Sequence, residues 1–234
     1  MRYYLFAIAL CFNVGTYGQD AKENMKQLAF ENPFHSSSQQ YLTISNFSNY
    51  RLEEFMKYDW ASAEILGRNG ELLELDSVNF YLPDQKMIFL NEGKLLELYP
   101  DQIEKIKINR TFYAPFKVYE DKEIALRFFE VLGGSNFKVL KTTRIKEEAK
   151  RVHSMGMKSS ETKLVRRDRF FYVPENNNLA IPIPGSKSKF LKTFKRHKKK
   201  MINFLDKRKL STREESDLIM IARYYNMLIR EEQN

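Results

Sequence analysis

The chain of 234 residues carries a single cysteine, Cys11, so an internal disulfide and a cysteine-built metal site are both excluded. Histidine is nearly as scarce. His35, His153 and His197 stand alone, without the His-x-x-x-His spacing or the cysteine partner that a zinc site requires. The chain also lacks a Gly-x-Ser-x-Gly elbow, a Gly-x-x-x-x-Gly-Lys phosphate loop and a dinucleotide-binding fingerprint. Gly133-Gly134 precedes a strand pattern, where a phosphate cradle would precede a helix. The carboxylate pairs Glu53-Glu54, Glu147-Glu148 and Glu214-Glu215 are adjacent in sequence, so their side chains diverge instead of facing each other across a cleft. We therefore expect no metal and no cofactor, and no catalytic residue is readable, although a triad assembled from distant residues leaves no local trace.

Long hydrophobic runs are missing too, with one exception at the start. Arg2 followed by the apolar stretch Tyr3 to Val14, and then Thr16-Tyr17-Gly18 with small residues at the first and third positions before a cut, reads as a secretory signal over residues 1–18. The run is well short of the roughly 20 residues needed to span a bilayer, and no second one follows, so no transmembrane span is expected in the mature chain. Cleavage before Gln19 would remove Cys11 and leave a thiol-free body that must fold by packing alone. Its expected address is the periplasm or the cell envelope.

What is present is enough apolar material for a core: 43% of the residues are hydrophobic and 14% aromatic. Residues 19–59, with a short helix over Ala21 to Phe30 and the loop-like Asn32-Pro33 and Ser36-Ser37-Ser38, read as a partly flexible lead-in. From 60 to 184 the chain reads as an antiparallel β domain, punctuated by Asn69-Gly70, Pro83-Asp84, Glu92-Gly93, Pro100-Asp101, Gly133-Gly134 and Pro174 to Asn178. Ile65 to Leu75 aligns without a gap on Ile88 to Leu98, each segment a hairpin with glycine at the same place in its turn. Two further hairpins are expected: Phe128–Val131 with Phe137–Leu140, and Phe170–Val173 with Leu179–Ile183. Trp60 opens this region as a core anchor.

From 185 to 234 the period changes to three or four. Phe190, Leu191, Phe194, Met201, Ile202 and Leu205 form one stripe, and Leu218, Ile221, Ala222, Tyr225, Leu228 and Ile229 a second. Ser211 and Glu214 stand at capping-box spacing. The fold class expected is α+β: an antiparallel, hairpin-built sheet partly covered by a basic C-terminal antiparallel helical hairpin.

Charge is the main functional hint. Residues 141–210 hold 21 Lys and Arg against 6 acids, while 19–140 hold 14 against 19. The densest cluster is Lys195, Arg196, Lys198, Lys199 and Lys200 around His197, and Arg166, Arg167 and Arg169 form a smaller one. Such clusters are an electrostatic footprint for a polyanion. They are also what a solvated helix face opposite an apolar stripe displays, although mutual repulsion among neighbouring cations favours a partner.

The signal ending Gly18-Gln19, the phrase Leu72-Leu73-Glu74-Leu75 repeated at Leu95-Leu96-Glu97-Leu98, the run Arg169-Phe170-Phe171-Tyr172-Val173, and the tail Leu210-Ser211 to Asp217-Leu218 followed by Tyr224-Tyr225-Asn226 together resemble a family of uncharacterised exported proteins of Bacteroidetes-type bacteria. The resemblance implies a periplasmic or envelope location and carries over no activity and no catalytic residue. The function expected is a non-catalytic exported envelope protein that binds an anionic envelope component or a protein partner through its basic C-terminal region. A periplasmic hydrolase of cell-wall or glycan material is the alternative. Nucleic-acid binding comes third, since export removes the chain from most nucleic acid, and oligomeric state is left open.

Overall fold

Short apolar runs between tight turns become strands here because alternate residues can be buried while every interior backbone group is paired. The computed structural model describes residues 42–43, 51, 54–56, 59–91, 94–154 and 157–233. The signal segment 1–18 and most of the lead-in, including the helix expected over Ala21–Phe30, lie outside them. Among the described residues the strands are β1 (Leu42–Thr43), β2 (Ala61–Gly67), β3 (Leu72–Tyr81), β4 (Lys86–Asn91), β5 (Lys94–Leu98), β6 (Ile103–Ile108), β7 (Thr111–Glu120), β8 (Glu123–Gly133), β9 (Lys138–Ser154), β10 (Met157–Val173) and β11 (Leu179–Pro182). The helices are α1 (Lys187–Leu191), α2 (Lys198–Lys207) and α3 (Glu215–Gln233). No helix among the described residues is long and apolar enough to cross a membrane.

The strands join in the order β1-β5-β4-β3-β2-β6-β7, and the sheet then closes on itself through β7-β11-β10-β9-β8-β7. The α+β class stands, but the expected purely antiparallel, hairpin-built sheet needs correction. Its second half is a closed five-stranded barrel, and β11 runs parallel to β7 with Leu179 opposite Lys117 and Ala180 opposite Val118. The reason lies in the edges of β7. Residues near its start pair with β6, with Ile106 opposite Tyr113, and residues near its end accept β11 on the stretch that β6 leaves bare. Closure removes two open edges that would otherwise invite pairing with other chains.

Alternation divides the barrel wall into two faces. Phe116, Val118, Phe129, Leu140, Phe171, Val173 and Ala180 fill the interior. On the outer face, Tyr113 and Phe128 join the core of the larger sheet with Ile65, Met87 and Ile106. Also outward, Phe137, Val139 and Tyr172 form the seat for the helices. Both stripes read from the sequence are buried there, only Ile202 being partly exposed.

The helical region departs from a simple hairpin in two places. The first stripe is broken into α1 and α2 by a bend at His197, whose φ is 55°. The capping box is displaced: the Arg213 N–H donates to Ser211 Oγ at 3.1 Å, and the Ser211 N–H donates to Asp217 at 2.8 Å. Asp217, not Glu214, is the acidic partner, so α3 begins later than the spacing implied. The tight reversal is made by Lys209 at φ 53°, with the Leu210 N–H returning to the Leu205 carbonyl at 2.9 Å.

Candidate functional site

The interior rows of the barrel change character toward one end. On β9 the inward row reads Leu140, Thr142, Arg144, Lys146, and on β10 the facing row reads Val173, Phe171, Arg169, with Leu140 opposite Phe171 and Thr142 opposite Arg169. On β8 the row passes from Phe129 to Arg127, and on β7 from Val118 to Glu120. A barrel packed with phenylalanine thus opens into a charged mouth, an open basin of about 790 Å³. Its far wall is the β3–β4 turn, Leu82 to Lys86.

That wall is fastened by Gln85, which is buried at φ 57°. Its amide donates to the Leu82 carbonyl at 2.6 Å and to the Thr143 carbonyl at 2.9 Å, and its oxygen accepts from the Thr142 hydroxyl. One side chain therefore ties the larger sheet to the barrel at the edge of the basin, with each of its polar groups used.

Three guanidinium groups from adjacent strands line the basin, and two of them share one carboxylate. Arg144 Nη2 donates to Glu120 Oε1, while Arg127 Nε lies 3.6 Å from Glu120 Oε2, an ion pair too long for a hydrogen bond. Arg169 has no carboxylate partner among the described residues; its guanidinium carbon sits 5.5 Å from the Phe171 ring. Arg144 Nε is buried and meets no acceptor among the described residues, the kind of unfilled donor that a bound group satisfies. Lys146 adds a further cation, whereas Lys86 is held by Glu97 at 3.0 Å.

A second, smaller cleft of about 420 Å³ opens on the outer face of the same strands. Lys141 lies 3.0 Å from Glu130 and 2.9 Å from Glu215, and Asp168 accepts from the Thr143 hydroxyl at 2.6 Å. Burial opposes the Lys141 charge, but hydrogen bonds and attraction to Glu215 and Glu130 outweigh it and hold the ammonium pKa above its ordinary value. Burial, helped by Glu130, raises the Tyr113 phenol strongly. Both carboxylates in this cleft are committed to neighbours, which makes it a structural ion-pair cluster. No group of three or more His, Cys, Asp or Glu fit to hold a metal occurs among the described residues.

No protein-family model, curated protein or solved structure matches this chain. What the basin can bind follows from its own chemistry.

Of the sequence-predicted binding residues, only Arg169 lines the basin. Arg167 pairs with Glu148 further along the same strands, and Arg166 donates to the carbonyls of Phe55 at 2.6 Å and Met56 at 3.0 Å, pinning that segment to the barrel. Lys195, Arg196, Lys198, Lys199 and Lys200 lie exposed at the α1–α2 junction, with Arg196 3.9 Å from Glu232. The helices on either side of that junction pack beside Leu132 and Phe137, at the end of β8 away from Arg127. The sequence reading missed Arg127, Arg144, Lys146, Glu120 and Gln85. The signal that would have found them is a period-two row that turns from apolar to basic at one end of several strands.

Proposed function

We propose that the protein binds an anionic ligand in the mouth of its barrel, as a non-catalytic exported protein of the periplasm or cell envelope. The observation that carries this is the sharing of one carboxylate, Glu120, by Arg127 and Arg144 while Arg169 and Lys146 pair with none among the described residues. Lys86, Arg127, Arg144, Lys146 and Arg169 against Asp84, Glu120 and Asp121 leave the basin with surplus positive charge, and Arg144 keeps an unfilled buried donor. Guanidinium groups on rigid strands suit the planar or tetrahedral oxygens of carboxylates and phosphates, and a concave, partly enclosed setting strengthens each contact. Hydrolysis is less well supported, because the carboxylates of the outer cleft are engaged, Glu130 by Lys141 and Asp168 by the Thr143 hydroxyl. Export rests on the signal pattern at residues 1–18, and mass spectrometry of the mature N-terminus reads it directly.

A second reading keeps the helical cluster as a docking surface for anionic headgroups. Lys198, Lys199 and Lys200 occupy the first turn of α2 with no acid among them, where the helix dipole disfavours cations, so the arrangement favours an anionic neighbour. One experiment separates the two. Titration calorimetry at low salt with tripolyphosphate and with citrate is run beside sedimentation with phosphatidylglycerol vesicles. The basin reading expects Arg127→Gln with Arg169→Gln to weaken binding of the small anions at least about tenfold and to leave vesicle binding unchanged. Gln at positions 195, 196, 198, 199 and 200 should do the reverse if the helical face docks on lipid. Small-anion binding unaffected by the arginine changes rejects the basin.

A further inference from the structure

Resting on that reading of the basin, we infer that Glu120 is a resident counter-ion that the ligand's own acid group displaces, and that the ligand is a compact small molecule bearing at least two acid groups. Glu120 ends β7, and its carboxylate is held inward, only 22% exposed, between Arg144 and Arg127. Its grip on them is incomplete. Arg144 offers one terminal nitrogen and keeps Nε buried without an acceptor, and Arg127 stands beyond hydrogen-bond distance. A phosphate or carboxylate that took both Nε and Nη2 of Arg144 side-on would satisfy the orphan donor that Glu120 leaves, the bidentate arrangement guanidinium favours.

The number of acid groups follows from the layout. Arg127 and Arg144 gather round Glu120, whereas Arg169 and Lys146 form no ion pair among the described residues, the lining's other acids being Asp84, beside Lys86, and Asp121. A single phosphate would serve one of these positions in a basin of about 790 Å³ and leave the other open. A ligand with two or more acid groups serves both. In the empty protein Glu120 relieves the repulsion among guanidiniums held close together, so it stabilises the fold in the ligand's absence and competes with the ligand in its presence. These opposite effects distinguish a resident counter-ion from a purely structural ion pair.

The test uses the full mature chain, tripolyphosphate and citrate as probes, and the variants Glu120→Gln and Glu104→Gln. Glu104 is exposed on β6, away from the basin lining, and controls for the change in net charge. The expected result is that Glu120→Gln binds tripolyphosphate about tenfold more tightly than wild type and melts at a lower temperature when empty, while Glu104→Gln matches wild type in binding. Citrate behaving in the same way assigns the site to acid groups in general; a gain with tripolyphosphate alone assigns it to phosphate. Wild type binding as tightly as Glu120→Gln, or more tightly, overturns displacement while leaving the basin reading intact. Neither probe binding wild type or Glu120→Gln overturns both. If Glu120→Gln fails to fold by circular dichroism, Glu120→Asp takes its place. Its carboxylate is withdrawn by one methylene from Arg144, so tighter binding than wild type is again required, and equal or weaker binding overturns the inference.

Discussion

Asn226 shows how much of this fold hangs on single polar side chains. It is 5% exposed on α3, and its oxygen accepts from the backbone N–H groups of Asn136 and Phe137, each at 2.9 Å. Its nitrogen donates to the Phe137 carbonyl at 2.8 Å and the Ala222 carbonyl at 2.7 Å. The β8–β9 turn is thereby sewn to the helix that covers it, and Gly134 in that turn, at φ 97°, has no room for a side chain because a Cβ would stand 1.9 Å from the Phe137 oxygen. Asn226→Ala removes the partners of several buried backbone groups at once. We expect a loss of about 3 kcal/mol, since each stranded buried group costs roughly 1–3 kcal/mol and partial rehydration limits the sum. Urea unfolding should show a lower midpoint at an unchanged slope; a loss below about 1 kcal/mol would contradict the role assigned to it.

Among elements, the β7–β8 hairpin is the informative one, because it presents Glu120 and Arg127 and has a costly turn. Asp121 and Lys122 connect paired residues Glu120 and Glu123 with φ of 48° and 73°, the left-handed pair that primed two-residue turns require and that glycine adopts most easily. Lys122→Gly should stabilise the protein by about 0.5–1 kcal/mol, read as a higher urea midpoint, with no change in anion binding. A destabilisation would mean that the turn is not strained. The same turn explains what was legible beforehand. Two hairpins whose turns carry glycine were readable, with Leu66 facing Leu72 across Asn69-Gly70 and Val131 facing Leu140 across Gly133-Gly134, whereas the long β9–β10 pairing was not read although Gly156 lies between its strands in sequence. Asp121-Lys122 sends no such signal, so this hairpin went unread. Nor did anything local announce the parallel pairing of β11 with β7, a contact between residues about sixty positions apart that depends on where β6 ends. The candidate site was hidden for a related reason. Arg127, Arg144 and Arg169 are scattered in sequence and converge only once the register of three strands is known, whereas the helical lysines are conspicuous because they are contiguous.

For the molecule as a whole, the fold separates the two concentrations of positive charge within residues 141–210, sending Arg144, Lys146 and Arg169 to the basin and residues 195–200 to the helical surface, while Lys141, Arg166 and Arg167 are engaged elsewhere. The groups with resolved titration shifts lie in the packed layers between these surfaces, and all are displaced the same way. Burial raises the phenols of Tyr113, Tyr172 and Tyr225, with Glu130 adding to the first and Glu175 to the third. Lys141 is raised by Glu215 and Glu130 against the opposing effect of its own burial. A group whose folded pKa exceeds its unfolded value contributes fully below the unfolded value, and the contribution is lost as pH climbs toward the folded one, since the folded state then binds more protons than the unfolded state. The ordinary values are 10.0 for tyrosine and 10.5 for lysine. Stability in urea should therefore be insensitive to these groups near neutrality and fall steeply above about pH 10. Tyr113→Phe isolates one contribution, because its hydroxyl makes no hydrogen bond to the described residues and is strongly raised. The variant should match wild type at about pH 8 and lose about 1 kcal/mol less than wild type between about pH 10 and 11. Parallel alkaline curves for the two proteins would show that the Tyr113 hydroxyl titrates as freely in the folded barrel wall as in the unfolded chain, and that burial between the two sheets does not withhold it from water.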